Sequence, residues 1–209
     1  MTGSASKKHR SVRKQAMIIV LSGPSGVGKD AILERMAELN YPYHFVITAT
    51  TREPRPGEVD GVNHYFVDRD RFQELIDTDE LLEHAEVYGN MYGVPKQQVR
   101  DALAAGQHVM IRVDVQGAAR IRQLVNQALL IFVMPPTLHS LQVRLEDRGV
   151  DAVEAITVRR SKAIDEINDA PWFDHTVVNH DDRLDDAVQE MIGIIDRESE
   201  QNPPRVFNL

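Results

Sequence analysis

The sequence predicts an α/β protein built around a largely parallel sheet. Three observations lead there. Apolar runs of strand length alternate with stretches of helical periodicity almost from end to end, a glycine-rich loop joins the first run to the first helix, and one turn-rich stretch interrupts the rhythm. At about 150 residues per domain, 209 residues suit one compact protein or a core carrying an inserted lobe.

Met17 to Leu21 is apolar throughout, as a strand covered on both faces requires. Ile32, Leu33, Met36 and Leu39 follow at the spacing of a helix face. Further strands are expected at His44 to Ile47, Val109 to Val113, Leu129 to Met134 and Thr176 to Val178. Helical patterns lie at Lys96 to Ala105, stopped by Gly106, and at Gly117 to Val125, Leu138 to Asp147, Val153 to Asn168 and Leu184 to Ile195. Residues 48–94 break this alternation. They open on TREPRPGEVDGVN, continue through a short strand in HYFV and a short helix near Arg71 to Ile76, and read as an inserted lobe.

Composition removes several function classes. No cysteine is present, which excludes disulfides, thiolate metal sites and cysteine nucleophiles. No window approaches about 18 consecutive apolar residues, so no membrane span is expected. Residues 1–16 hold Lys7, Lys8, Arg10, Arg13 and Lys14 with no acid, and lack the apolar stretch of a secretory signal. They read as a disordered basic tail on a cytoplasmic protein, and residues 201–209 as a second tail. The rest carries 19 basic against 32 acidic groups, a formal −13, which is poorly suited to sequence-independent nucleic-acid binding. Neither nucleic acid nor membrane is expected as a partner.

Gly23, Pro24, Ser25, Gly26, Val27, Gly28 and Lys29 spell GPSGVGK, the GxxxxGK spacing of a phosphate loop, directly after a buried strand and directly before a helix. Glycines let backbone N–H groups converge on phosphate oxygens. The helix N-terminus adds positive potential, and Lys29 reaches the terminal phosphates. Ser or Thr normally follows the lysine and ligates Mg²⁺; this chain has Asp30, a carboxylate that also suits a hard cation. In the inserted lobe, Arg52 and Arg55 stand three apart, with Glu58 three further on. Two guanidinium forks so close make a clamp for a phosphate dianion.

With GPSGVGK and TTREPRPGE together, the chain resembles the guanylate kinases over roughly Met17 to Ile195. The resemblance implies transfer of the γ-phosphoryl of ATP to GMP, and to dGMP, giving ADP and GDP, with Mg²⁺ accompanying the ATP in a monomer or homodimer. It implies a P-loop nucleoside monophosphate kinase fold, with a core at 17–47 and 95–200, a GMP-binding lobe at 48–94 and a helical lid at about 144–160. Residue by residue, Arg52, Arg55 and, in a tyrosine's place, His64 correspond to holders of the GMP phosphate, with Glu58 between them and Tyr92 alongside. Thr48 corresponds to the hydroxyl that meets guanine, Glu83 to the carboxylate that accepts from its N1 and N2 protons, and Asp114 to a second acceptor. Val94 stands where a Ser or Thr is usual. Lys29, Arg148 and Arg159 correspond to catalytic groups, Arg144 lies near ATP, and Asn179 borders the adenine.

One exchange departs from the family pattern. Asp follows the lysine where a hydroxyl is usual, and Arg112 occupies a strand position where Asp is usual. Asp30 and Arg112 are therefore expected to be close, with Asp30 serving either in the metal shell or as the partner of Arg112. Two other readings fit the loop: a kinase of a phosphorylated sugar such as ribose 1,5-bisphosphate, and a binding module that has lost catalysis. Thr48, Glu83 and Asp114 argue against the first. Gly23, Gly28, Lys29 and the lid arginines argue against the second.

Overall fold

The computed structural model of the chain describes residues 16–87, 89–147 and 163–200. Five strands form a parallel sheet in the order β2-β7-β1-β8-β9, where β1 is Ile18–Ser22, β2 Tyr43–Phe45, β7 His108–Arg112, β8 Leu129–Met134 and β9 His175–Val178. Each coincides with a strand expected from the apolar runs. β1 explains why the runs are continuous: Ile19 and Leu21 pack on one face with Ile32, Met36 and Met191, while Ile18 and Val20 pack on the other with Val99, Ile121 and Phe132. Side chains alternate across a strand, so burial on both sides makes Ile18 to Leu21 apolar at every position.

Helices cover both faces. α1 (Lys29–Glu38) lies on the same side as the C-terminal helix Leu184–Ser199; α3 (Lys96–Ala104) and α4 (Val115–Leu124) cover the opposite side. Helix α5 (Leu138–Asp147) matches its expected range, and α4 begins two residues earlier than expected. The cause is Asp114, whose side chain caps the helix by accepting from Gly117 N at 2.8 Å. Of the helix expected at Val153 to Asn168, residues 163–168 are described and helical. Arg148 and Arg159, most of the expected lid and nearly all of both terminal tails lie outside the described residues.

The stretch that breaks the rhythm builds a second, four-stranded sheet, β4-β3-β6-β5, from β3 (Ala49–Thr50), β4 (Tyr65–Phe66), β5 (Leu81–Val87) and β6 (Asn90–Pro95). Helix α2 (Arg69–Asp77) is capped by Asp68 and buries Phe72 and Leu75 against Ala49 and Leu81. The β5–β6 hairpin did not show in the sequence. A bulge between Leu81 and Glu83 places Leu81, Leu82 and Glu83 all inside, which destroys the alternation that announces a strand.

No helix among the described residues is long and apolar enough to cross a membrane.

Candidate active site

The carboxyl ends of β1 and β7 open onto a cleft of about 670 Å³ whose opposite wall is the second sheet. Open α/β sheets bind ligands at such strand ends. The loop after β1 supplies Gly23, Ser25, Gly26, Val27, Gly28, Lys29 and Asp30; the lobe supplies Thr48, Arg52, Arg55, Glu58, His64, Glu83 and Tyr92; the turn after β7 supplies Asp114. The two expected phosphate sites therefore face one cavity.

On the donor side, Gly28 is the N-cap of α1 with φ 98°, a left-handed conformation in which a Cβ would also run into Asn179 Nδ2. Lys29 Nζ donates to Gly23 O at 2.5 Å and to Pro24 O at 3.1 Å, so the lysine folds back over its own loop. Asn179 and Arg144 do not line the cavity; they brace the loop from behind. Buried Asn179 donates to Val27 O at 2.8 Å, and Arg144 donates to Val27 O at 3.0 Å, to Asn179 O at 2.8 Å and to Asp181 at 2.6 Å.

Of the two roles expected for Asp30, the structure shows the pair with Arg112: Asp30 Oδ1 is in ionic contact with Arg112 Nη1. Among the described residues no three His, Asp or Glu side chains gather as a metal-holding group. Asp30 shares the cavity with Glu34 and Glu166, and its Oδ1 is engaged by a guanidinium.

On the acceptor side, Glu58 binds both forks of Arg52 at 2.9 Å and accepts from the backbone N–H of Arg55 at 2.7 Å. The Arg52 guanidinium holds the Glu58 carboxyl below its usual range and also lies 5.7 Å over the Phe66 ring. Arg52 is thereby locked in place. Arg55 stays exposed, and its side chain makes no hydrogen bond or ion pair with another described residue.

His64 was expected as a donor to phosphate, but both ring nitrogens are engaged. Nδ1 lies 2.8 Å from Thr48 Oγ1 and Nε2 lies 3.4 Å from Arg112 Nη2. Guanidinium has no acceptor, so Nε2 accepts, Nδ1 carries the proton and Thr48 receives it. Burial first, and then the Arg52 charge, lowers the His64 pKa and keeps the ring neutral. Its ring sits edge-on between Phe66, at 5.6 Å, and Tyr92, at 6.1 Å.

Glu83 is 5% exposed and receives a hydrogen bond from Arg120 Nη1 at 3.0 Å. Burial pushes its pKa up to about 7 against the pull of Arg120, and nearby Asp114 adds to the rise. A Cβ at Gly117 would meet Glu83 Oε1 at 3.1 Å and Val113 Cβ at 2.9 Å, so a bare glycine is what lets helix α4 approach this carboxylate. Arg120 and Gly117 are site residues that sequence reasoning missed. An arginine on a helix reads as a solvated charge, and a glycine chosen for a long-range approach leaves no local signal. Val94 is buried and pairs in register with Glu83, so the wall there is apolar. Glu83 also lines a second cavity of about 630 Å³ behind β5, which no residue of the phosphate loop or the arginine pair reaches.

A phosphate loop at the end of the central strand of a parallel sheet, overhung by a small lobe with a mixed sheet, is the architecture of the P-loop nucleoside monophosphate kinases. Comparison with known proteins then narrows the class. The guanylate kinase family model matches residues 15–198. The guanylate kinase of Carboxydothermus hydrogenoformans is 41% identical over 192 residues, covering 92% of this chain and 93% of that protein. That of Gloeobacter violaceus is 45% identical over 186 residues, covering 89% and 90%. Among solved structures, guanylate kinase from Anaplasma phagocytophilum superposes with a TM-score of 0.74 at 30% identity, covering 90% of this chain and 89% of that one. The chain belongs to the guanylate kinase family.

Proposed function

We propose that this enzyme transfers the γ-phosphoryl of ATP to GMP, and to dGMP, in the cytoplasm, with the roles divided as the cleft divides them. The observation that carries the reading is the single cavity lined by Lys29 at one end and by Arg52, Arg55, Glu83 and Asp114 at the other. The core holds ATP through the loop amides and Lys29, while Arg144 and Asn179 support the loop. The lobe at 48–94 holds GMP. Arg52 and Arg55 grip its phosphate, Tyr92 flanks it, Thr48 faces the base, and Glu83 and Asp114 accept from the base's N–H groups. Arg148 and Arg159 take the lid roles that the family resemblance assigns.

A phosphate oxygen of GMP attacks the γ-phosphorus, the bond to the β–γ bridging oxygen breaks, and ADP leaves. There is little covalent work for the protein, so positioning, charge and exclusion of water supply the rate. Mg²⁺ bound together with ATP would supply further charge neutralisation at the phosphates. A carboxylate buried as Glu83 is buried penalises a base without protons at N1 and N2, which favours guanine over adenine.

The acceptor screen tests this. Coupled ADP release with GMP, dGMP, AMP and ribose 1,5-bisphosphate is expected to show turnover with the two guanine nucleotides. Turnover with the sugar phosphate alone, or with none of the four, defeats the reading.

A pH prediction follows from Glu83. A carboxyl at about 7 in the folded chain, against 4.5 ordinarily, makes the folded state bind the extra proton between those values. Raising the pH through that window therefore destabilises the free protein, by up to about 3 kcal/mol. GMP pulls the other way, because its base protons need the ionised carboxylate. Between pH 6.5 and 8, where the nucleotide phosphate is mostly dianionic, KM for GMP should fall about fourfold as Glu83 ionises. Glu83→Gln should flatten that fall and abolish the loss of Tm between pH 5 and 7. A wild-type KM that rises with pH contradicts the assignment of Glu83.

A further inference from the structure

A guanidinium on the floor of the cleft has no part in the roles above. Arg112 ends β7 alongside Leu21 of β1, and its side chain is 26% exposed. One terminal nitrogen is paired with Asp30 in the first turn of α1; the other lies 3.4 Å from His64 Nε2. Asp30 belongs to the donor loop and His64 to the acceptor lobe, and all three line the cavity that also holds Lys29, Arg52 and Arg55. A single fixed cation thus stands where the two sites meet.

We propose that Arg112 is a further ligand of the acceptor's phosphomonoester dianion, positioned by Asp30 and His64. The proposal rests on the phosphoryl-transfer reading above. Its basis is a repeated arrangement. Arg52, on the lobe wall, is oriented by Glu58, and Arg112, on the cleft floor, is oriented by Asp30. Glu58 takes both terminal nitrogens of Arg52 and Asp30 takes one of Arg112, so in each case less side-chain freedom remains to be lost when an anion binds. A guanidinium has five N–H donors, so a phosphate oxygen can be added to, or exchanged for, the contacts with Asp30 and His64.

Asp30 is 48% exposed, so water shares in solvating its charge and the pair keeps positive potential toward the cleft. His64 contributes by accepting, and its neutral ring passes the hydrogen-bond chain on to Thr48 at 2.8 Å. Asp30 is in this account a positioning residue for Arg112. The exchange of residue types at positions 30 and 112 moves a protein cation into the space beside the acceptor.

Binding without ATP or metal isolates the claim. Dissociation constants for GMP and for guanosine are measured by calorimetry with the wild type, with Arg112→Gln, and with Asp30→Asn/Arg112→Gln. Both variants should bind GMP at least about tenfold more weakly, the scale of one charge-assisted contact, with guanosine unchanged. Arg112→Lys, which keeps the charge, should recover part of the affinity and covers the case in which Arg112→Gln fails to fold. Recovery of wild-type GMP affinity in the double variant overturns the proposal, since Arg112 would then only neutralise Asp30. Equal weakening of GMP and guanosine also overturns it, because that marks a scaffold role. The two readings remain separable. Wild-type protein that binds GMP but never phosphorylates it defeats the kinase reading, whereas active wild type with an unimpaired Arg112→Gln defeats only the role of Arg112.

Discussion

Arg55→Ala is expected to lower kcat/KM for GMP about a thousandfold while the affinity for ATP stays nearly unchanged. That factor corresponds to about 4 kcal/mol, within the range for truncating one partner of a hydrogen-bonded charge pair. The geometry makes Arg55 the cleaner of the two clamp residues to remove. Arg52 is held by both oxygens of Glu58, so its loss would strand that carboxylate beside the incoming phosphate and mix repulsion with lost attraction. The Arg55 side chain is exposed, and its backbone N–H, which alanine keeps, is what Glu58 accepts at 2.7 Å. The substitution should therefore leave the turn and the fold intact. Coupled ADP release gives kcat/KM, and calorimetry with ATP gives donor affinity. Unchanged GMP kinetics would remove the clamp from the mechanism; a parallel loss of ATP affinity would mean that the lobe and the loop are not the separate sites described.

What the sequence disclosed follows from how locally each feature is encoded. The five core strands were legible because burial on both faces favours an apolar run, as in Ile18 to Leu21 and Leu129–Met134. The phosphate loop was legible because backbone convergence on phosphate demands glycines at fixed spacing. Arg52, Arg55 and Glu58 were legible because their partnership spans six residues. What escaped is non-local. The strand that carries Glu83 is interrupted by that buried charge, Arg120 reaches the carboxylate from 37 residues away, and Gly117 matters only for what approaches it in space. Asn179 was expected beside a base, yet its amide turns to Val27 across 152 residues of sequence. The clash a Cβ at Gly28 would make explains why it sits there: asparagine and glycine occupy one another's space. Arg112 stood out only because its residue type was unusual for its place, which is a chemical signal where spacing offered none.

Lys29→Met should reduce kcat about a thousandfold, with a smaller change in KM for ATP and none in the affinity for GMP. The ammonium donates to two loop carbonyls, Gly23 O and Pro24 O. Binding ATP exchanges those acceptors for phosphate oxygens, so the net gain in the ground state is modest. Charge grows on the departing β–γ bridging oxygen only as the phosphoryl moves, and there the lysine gains what the carbonyls never supplied. An interaction strengthened chiefly in the transition state appears in kcat. Methionine keeps the length of the stem and much of its volume but forfeits two hydrogen bonds to the loop, which should lower Tm by a few degrees. Steady-state kinetics with each substrate varied in turn, alongside a thermal melt, separates the two effects. A kcat within tenfold of wild type in a folded Lys29→Met protein would show that the loop amides alone neutralise the transferring group. A thousandfold loss that appeared in KM for ATP instead would place the role of Lys29 in holding the nucleotide before the reaction begins.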